Sequence, residues 1–411
     1  MRWCVLPALV LAPALILGGC DDGADPDDDA PTSDAGASDA ATPDGEQMAD
    51  ADVMPEADEG VIPEPDPVNL MAPGTFEVGF TEFEVTYQLP REDAPRTLRT
   101  VAWYPTEATE GNSTRYASLI RADGIFTDAP PAIDGEAPTL IFSHGNGGIA
   151  EQSFFLSEFM ASHGWVVVAF DHTGNAFRSD GREVYEMFEL RPLDVSAVID
   201  AVQDLPEDHL LAGAVGPEVM LAGHSFGGYT SLAVGGATFD VDALSAGCML
   251  ISEEFCDYFE TVADVFREGF LDERVVATVP MTPVGATVFS GGTAAIDIPT
   301  LMMTGGKDAT LPDEMEGDPL WAAMDGPNAI RLSFPDAGHF TFSNACDIFP
   351  TLIMNDGCEP EFIPPEEAYE IINAYTLAFG RFYMLGDDSM LPLLTGEELI
   401  GEGDVEFFTK P

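Results

Sequence analysis

Apolar positions along this chain fall into two rhythms. Thr75–Leu89 alternates Phe, Val, Phe, Phe, Val and Tyr with polar residues, the period-2 pattern of an edge strand or hairpin arm. Arg99–Tyr104 reads as a second strand. Thr139–Ser143, Trp165–Phe170, Val219–Ala222, Val275–Val279, Thr300–Met303 and Ile330–Phe334 are short, nearly continuous apolar runs, as expected of strands covered on both faces. Between them, apolar residues recur at helical spacing over Ile149–His163, Leu190–Leu205 and Phe226–Val234, and again over Pro365–Met384. Pro192 falls near the predicted start of its helix, where proline is tolerated. The alternation predicts an α/β fold with a mostly parallel central sheet and helices on both faces. Residues 240–272 break the rhythm, mixing Phe, Tyr, Met and Leu with acids over a stretch long for a connection. They predict a small helical insertion, read as a cap over the site.

The first 70 residues follow neither rhythm. Arg2 precedes an apolar run, Val5–Leu17, too short and proline-broken to span a bilayer and laid out like a secretory signal. Leu17-Gly18-Gly19-Cys20 resembles a bacterial lipobox, in which the cysteine becomes the lipidated first residue of the exported protein. Residues 1–19 are therefore expected to be removed and Cys20 to carry the anchor, placing the protein in the cell envelope on the periplasmic or surface face of the outer membrane. Residues 21–70 hold 17 Asp or Glu and no Lys or Arg. Such a segment buries too little apolar surface to offset its ordering entropy, so it reads as a disordered acidic linker ahead of a catalytic domain over 71–411.

Charge narrows the partners. The 411-residue chain has 73 acidic and 15 basic residues, a formal net charge of −58. Phosphate binding needs a basic face, so nucleic acid is excluded, and charge alone would repel the chain from anionic lipid. Membrane association is left to the anchor.

Chemistry concentrates at Gly223-His224-Ser225-Phe226-Gly227, a G-x-S-x-G sequence directly after an apolar strand and before a helix. This is the setting of a sharp turn that lifts a nucleophilic serine above the sheet and points the next backbone N–H, that of Phe226, at a developing oxyanion. A serine hydroxyl needs a base to take its proton. Of six histidines, only His339 follows Ser225 beyond a late strand, where the chain order Ser…Asp…His requires the base. His224 is expected to point away from Ser225, His144 to be structural, His163 to end a helix and His209 to sit in an acidic loop. His172 reads as lining the substrate groove. The orienting carboxylate is assigned to Asp308, at the carboxyl end of the strand over 300–303. Asp336 lies too close to His339 in sequence, and Asp171 precedes the serine. Glycines in Ser143-His144-Gly145-Asn146-Gly147-Gly148 let a backbone N–H approach substrate, so Asn146 is assigned as the second oxyanion donor.

Beyond the leader and Cys20, four cysteines remain: Cys248, Cys256, Cys346 and Cys358. An even number in an exported chain predicts disulfides. Three connectivities are open, and sequence proximity favours Cys248–Cys256 and Cys346–Cys358. No C-x-x-C spacing suggests a zinc site.

These residues together resemble the α/β-hydrolase fold over most of 75–385. Within it the chain resembles the bacterial group described as predicted dienelactone hydrolases, related to platelet-activating-factor acetylhydrolases and cutinase-like polyester hydrolases. The resemblance rests on SHGNGG at 143–148, the Asp-His pair with Gly and Asn at 171–175, RPLDV at 191–195, GHSFGGY at 223–229, GGKD at 305–308 and AGHFTF at 337–342. Two departures matter. The nucleophile is Ser225 where true dienelactone hydrolases use cysteine, and the strand end at Val279-Pro280-Met281-Thr282 lacks the carboxylate that animal platelet-activating-factor acetylhydrolases carry there. Arg191 and Asp194 match a family motif and read as structural groups at a helix start. The resemblance implies a serine esterase needing no cofactor and no metal, acting on a short-acyl or oxidised phospholipid, a polyester or a small soluble ester. A surface-displayed binding module without turnover is the alternative from another class.

Overall fold

Eleven strands form one sheet in the computed structural model, which describes residues 68–410 apart from 90, 119, 178 and 349–355. The leader, Cys20 and the acidic linker as far as residue 67 lie outside the described residues. The described residues belong to the unit Pro65–Pro411. In chain order the strands are β1 (Glu77–Tyr87), β2 (Arg96–Thr106), β3 (Ser113–Tyr116), β4 (Ile120–Thr127), β5 (Thr139–Ser143), β6 (Val166–Phe170), β7 (Val219–His224), β8 (Val275–Met281), β9 (Thr300–Gly305), β10 (Ala329–Phe334) and β11 (Glu406–Thr409). They lie in the order β11-β10-β9-β8-β7-β5-β6-β2-β1-β4-β3. The block from β6 through β5, β7, β8 and β9 to β10 is parallel throughout, while β2 joins β6 and β11 joins β10 antiparallel.

Both faces of the parallel block are covered, which is why its strands read as unbroken apolar runs. Met220 and Ala222 of β7 share a core with Trp165, Leu156 and Met160 of the helix α1 (Phe154–Ser162), and Ile372, Tyr375 and Phe379 of the C-terminal helix Pro365–Leu385. Val219 and Leu221, on the opposite side of the same strand, pack with Val195, Val198 and Ile199 of α2 (Val184–Gln203). The helix α3 (Phe226–Val234) follows β7 directly.

The insertion is helical. Asp240 caps α4 (Val241–Gly247) by accepting from the Ala243 amide at 2.9 Å, and Ser252 caps α5 (Glu253–Glu268) by accepting from the Phe255 amide at 3.0 Å. Phe255, Phe259, Val262 and Phe266 form the buried stripe of α5. Phe255 meets Tyr185 of α2, and Phe266 meets Phe239, which lies beside Phe289. A disulfide between Cys248 and Cys256 closes the turn between α4 and α5, and a second joins Cys346 to Cys358.

Five elements differ from the sequence reading. The helix expected over Ile149–His163 begins only at Phe154, because the side chains before it serve elsewhere: Glu151 pairs with Arg99, and Gln152 bonds the Gly145 amide. The helix expected from Leu190 begins at Val184, so Pro192 lies in its interior. The carbonyl of Phe188, deprived of the Pro192 N–H, accepts instead from the Tyr229 hydroxyl at 2.7 Å. Finally, β3 and β11 are short edge strands and β4 lies between β1 and β3, all three held by their neighbours rather than by a marked pattern of their own.

One carboxyl ties an edge strand to α1. Glu158 accepts from the Tyr116 hydroxyl at 2.6 Å, and that oxygen accepts from Trp103 Nε1 at 2.8 Å. Burial raises the Glu158 pKa to about 7, against the downward pull of the Tyr116 hydrogen bond. A folded-state pKa above the ordinary 4.5 means that this group's stabilisation is complete below about 4.5 and lost as pH rises through about 7. Glu158→Gln keeps an acceptor without the charge. It should stabilise the protein at pH 8 by about 2 kcal/mol, below the full linkage value because the side chain is partly solvated, and by almost nothing at pH 4.5. Thermal melts across that range check this. An equal gap between variant and wild type at both ends would contradict it.

Candidate active site

The carboxyl ends of the parallel strands lie on one edge of the sheet, and the candidate residues gather there. The chain runs from β5 to β6 in one direction and later to β7 in the other. The boundary between β5 and β7 is therefore a topological switch point, where open α/β sheets hold their sites. Ser143 pairs with Gly223 across that boundary. The loop after β5 and the turn after β7 thus emerge side by side.

Ser225 occupies that turn with φ 58° and ψ −115°, a strained conformation for a residue with a side chain. The glycines around it are required by contact. A Cβ on Gly223 would fall 2.3 Å from the Gly227 oxygen, and one on Gly227 would fall 1.8 Å from the Ser143 oxygen. The Ser225 amide donates to Met281 O at 2.9 Å, and the Ser225 carbonyl receives the Gly228 and Tyr229 amides. The backbone of the turn is thereby locked while the hydroxyl stays free of any hydrogen bond among the described residues.

Asp308 and His339 come together on the neighbouring loops. Asp308 follows β9, His339 follows β10, and these strands are adjacent and parallel. His339 Nδ1 lies 2.7 Å from Asp308 Oδ2, and both side chains are buried. The other oxygen, Oδ1, accepts from the Leu311 amide at 2.6 Å. With the carboxylate accepting at Nδ1, the imidazole keeps its Nε2 lone pair for a proton. Asp336, set aside on sequence grounds, pairs instead with Lys307 at 2.7 Å. No hydrogen bond joins His339 to Ser225; catalytic contacts of this kind are commonly long until substrate is in place.

His224 links the two halves of the site. Its Nε2 donates to the His339 carbonyl at 2.8 Å, and its Nδ1 accepts from Gln152 Nε2 at 2.8 Å. Gln152 Oε1 accepts from the Gly145 amide at 2.9 Å. One His–Gln pair thus fixes the backbone of His339 and the loop beside the serine. Burial and the neighbouring His339 hold the His224 pKa down at about 3, so it stays neutral. Neither Gln152 nor this use of His224 was readable from sequence.

Two amides near the serine are unpaired among the described residues. Those of Asn146 and Phe226 donate to no acceptor among the described residues, whereas their neighbours Gly145, Gly147 and Gly148 are all bonded. Phe226 N–H is also at the first turn of α3, where a helix leaves its amides free. A Cβ on Gly145 would fall 3.3 Å from Ser225 Cβ, so the loop bearing Asn146 runs directly against Ser225.

Beneath this loop lies a fully buried polar brace. Arg191 donates to Asn175 Oδ1 at 2.6 Å, to Thr230 Oγ1 and Ser143 Oγ at 3.2 Å, and to the His144 carbonyl. Asn175 in turn donates to the Asn146 side chain at 2.8 Å and accepts from the Gly147 amide at 3.0 Å. Among the described residues no carboxylate lies within ion-pair distance of Arg191, and burial pulls its pKa down to about 9. Its guanidinium stands 4.7 Å from the centre of the Phe226 ring. Arg191 and Asp194 therefore do not occupy a helix start, as the sequence suggested, but the buried middle of α2.

The groove-lining role read for His172 is also corrected. His172 is fully buried; Nδ1 donates to Asp194 Oδ2 at 2.8 Å and Nε2 accepts from Ser143 Oγ at 2.9 Å. Asp194 also receives Arg96 at 2.6 and 2.8 Å and Tyr87 at 2.7 Å. Ser143, His172 and Asp194 thus repeat the connectivity of a Ser-His-Asp set in a place that substrate cannot reach. Burial holds His172 and His144 well below the usual histidine range, so both are neutral. His144 Nε2 then accepts from the His172 amide at 3.0 Å, and Nδ1–H donates to the Gly145 carbonyl at 2.7 Å. That last bond polarises the peptide whose N–H belongs to Asn146.

The sheet, with its elbow after β7, defines an α/β-hydrolase fold. Comparison with solved structures agrees: a ferulic acid esterase from Streptomyces cinnamoneus superimposes with a TM-score of 0.59 at 20% sequence identity, covering 83% of this chain and 99% of that one. No protein-family model and no curated protein sequence matches the chain.

Proposed function

We propose that this chain is a serine carboxylic-ester hydrolase. The observation that carries the reading is the convergence at one strand edge of a strained, unbonded Ser225, an Asp308–His339 pair at 2.7 Å and two unpaired amides. Ser225 Oγ attacks the ester carbonyl carbon as His339 Nε2 takes its proton. The carbonyl π electrons move to oxygen, and the N–H groups of Asn146 and Phe226 hold the resulting oxyanion. Collapse re-forms the carbonyl and breaks the C–O bond to the alcohol, which receives the proton from His339. Water, activated by the same imidazole, then attacks the acyl-enzyme and releases the carboxylic acid and Ser225. Asp308 orients His339 and stabilises its imidazolium form throughout.

The substrate class we favour is a short-acyl lipid or other small ester, after the resemblance to platelet-activating-factor acetylhydrolases. Polyester cleavage, as in cutinase-like enzymes, is the second reading, and the ferulic acid esterase adds ferulate esters to the set worth testing. The lipobox-like Leu17–Cys20 supports anchoring through Cys20 in the cell envelope, with the acidic linker as a spacer. The test is a p-nitrophenyl ester series from acetate to palmitate, with methyl ferulate and a polyester film alongside. The account expects turnover highest at acetate to butyrate. An optimum at palmitate, or cleavage of the film alone, would overturn the short-acyl assignment. No turnover of any ester by folded protein would favour the binding-module reading.

A further inference from the structure

One carboxylate outside the Ser–His–Asp set joins the two loops that carry its acid and its base. Asp356 Oδ1 accepts from the amides of His339 at 2.9 Å and Ala309 at 3.0 Å. Its Oδ2 accepts from the Thr310 amide at 2.9 Å and from the Thr310 hydroxyl. Its backbone carbonyl accepts from the Phe340 amide at 2.9 Å. Ala309 and Thr310 directly follow Asp308, so the residue fixes the backbone on both sides of the 2.7 Å contact between Asp308 and His339.

The chemistry of these contacts requires a carboxylate. Four donors converge on the two oxygens, and none is a cationic side chain. An ionised carboxylate offers about four lone-pair sites and no donor, which matches the set. The side chain is buried, so water does not substitute for it. Asp356 also lies two residues from Cys358, whose bridge to Cys346 spans a Cα–Cα distance of 5.4 Å. Near the other end of that bridge, Asn344 Oδ1 accepts from the Phe155 amide at 2.8 Å, and the Ser343 carbonyl receives the Tyr369 hydroxyl at 2.8 Å. The disulfide thus ties Asp356 to a segment fixed on α1 and on the C-terminal helix.

We infer that Asp356 is a positioning residue for the ester-cleaving site: it sets Asp308 against His339 through their backbones, and the Cys346–Cys358 bridge holds it there. The inference rests on the reading of Ser225, Asp308 and His339 given above.

Asp356→Ala and Asp356→Asn test it in the full chain. The readouts are kcat and KM for p-nitrophenyl acetate, thermal melting, and the low-field proton resonance of the His339–Asp308 hydrogen bond. Loosening the pair should lower kcat about 10²-fold in Asp356→Ala with KM within about twofold, since misplacement of the order of 1 Å has that effect. Asp356→Asn keeps one accepting oxygen but turns an NH2 toward the Thr310 amide, so about a tenfold loss is expected. In both, the low-field resonance should shift or broaden, which a purely stabilising residue would not cause. Folded variants with wild-type kcat and an unmoved resonance would overturn the inference. If neither variant folds, reduction of the Cys346–Cys358 bridge in folded Cys248→Ser/Cys256→Ser protein replaces them, since that background holds only this disulfide among the described residues: kcat should fall about tenfold, and unchanged turnover would overturn it. Wild-type protein that hydrolyses no ester fails the functional reading instead, and the resonance still reports whether Asp356 positions the pair.

Discussion

Ser225→Ala should abolish ester hydrolysis, with kcat reduced about 10⁵–10⁶-fold, while leaving the protein folded. The two halves of that expectation come from different features. The hydroxyl is the only group at the elbow that can form the acyl-enzyme, so its loss removes the covalent route. It makes no hydrogen bond among the described residues, so its loss should cost little stability. Alanine also tolerates φ 58° no better and no worse than serine. The residual rate would come from the amides of Asn146 and Phe226 and from substrate binding. Steady-state kinetics and a thermal melt on the same sample check both halves. An inactive variant that melts far below wild type would point to a structural role for the hydroxyl.

Asp308→Asn should lower kcat about 10⁴-fold at neutral pH with little change in KM. The reason is local. The Leu311 amide donates to Asp308 Oδ1 at 2.6 Å, so an asparagine must keep its oxygen there. Its NH2 is then forced toward His339 Nδ1, where the carboxylate now accepts at 2.7 Å. An NH2 in that position can only donate, so Nδ1 must carry the lone pair and the ring proton moves to Nε2. The nitrogen facing the serine would then hold a proton already and could not act as a base. Asp336→Asn is the control: Asp336 is exposed and pairs with Lys307, so its change should leave kcat within twofold. Equal effects at the two positions would contradict the assignment of the acid.

The parts of this molecule that were legible in its sequence are those fixed by local rules. Continuous apolar runs located β5, β6, β7, β8, β9 and β10, because strands covered on both faces must be apolar on both. Gly223 and Gly227 marked the elbow, because no side chain fits at either contact. The placement of Asp308 and His339 after two late strands was readable from the strand ends, and their strands are adjacent. What was hidden depends on distant partners. The helix α2 extends back to Val184 through an interior proline because the Tyr229 hydroxyl satisfies the Phe188 carbonyl, and nothing near Pro192 announces this. Its early start moved Arg191 and Asp194 from a supposed helix end into the core. His172 read as a groove residue because it follows a strand, yet its ring turns inward to Asp194. Gln152 reaches the His224 ring and Asp356 the backbone amides of Ala309 and His339, contacts distant in sequence that leave no spacing pattern. The strands β3 and β4 are half polar and defined by pairing alone.

The central claim is that Ser225 is a nucleophile activated by His339. Treatment of the purified chain with a fluorophosphonate, followed by peptide mass spectrometry, tests it most directly, because the reagent phosphonylates only an activated serine and needs no knowledge of the natural ester. The account predicts one adduct, on the peptide containing Ser225, that fails to form in His339→Ala. A folded protein left unmodified, or modified at a serine other than Ser225, would contradict it.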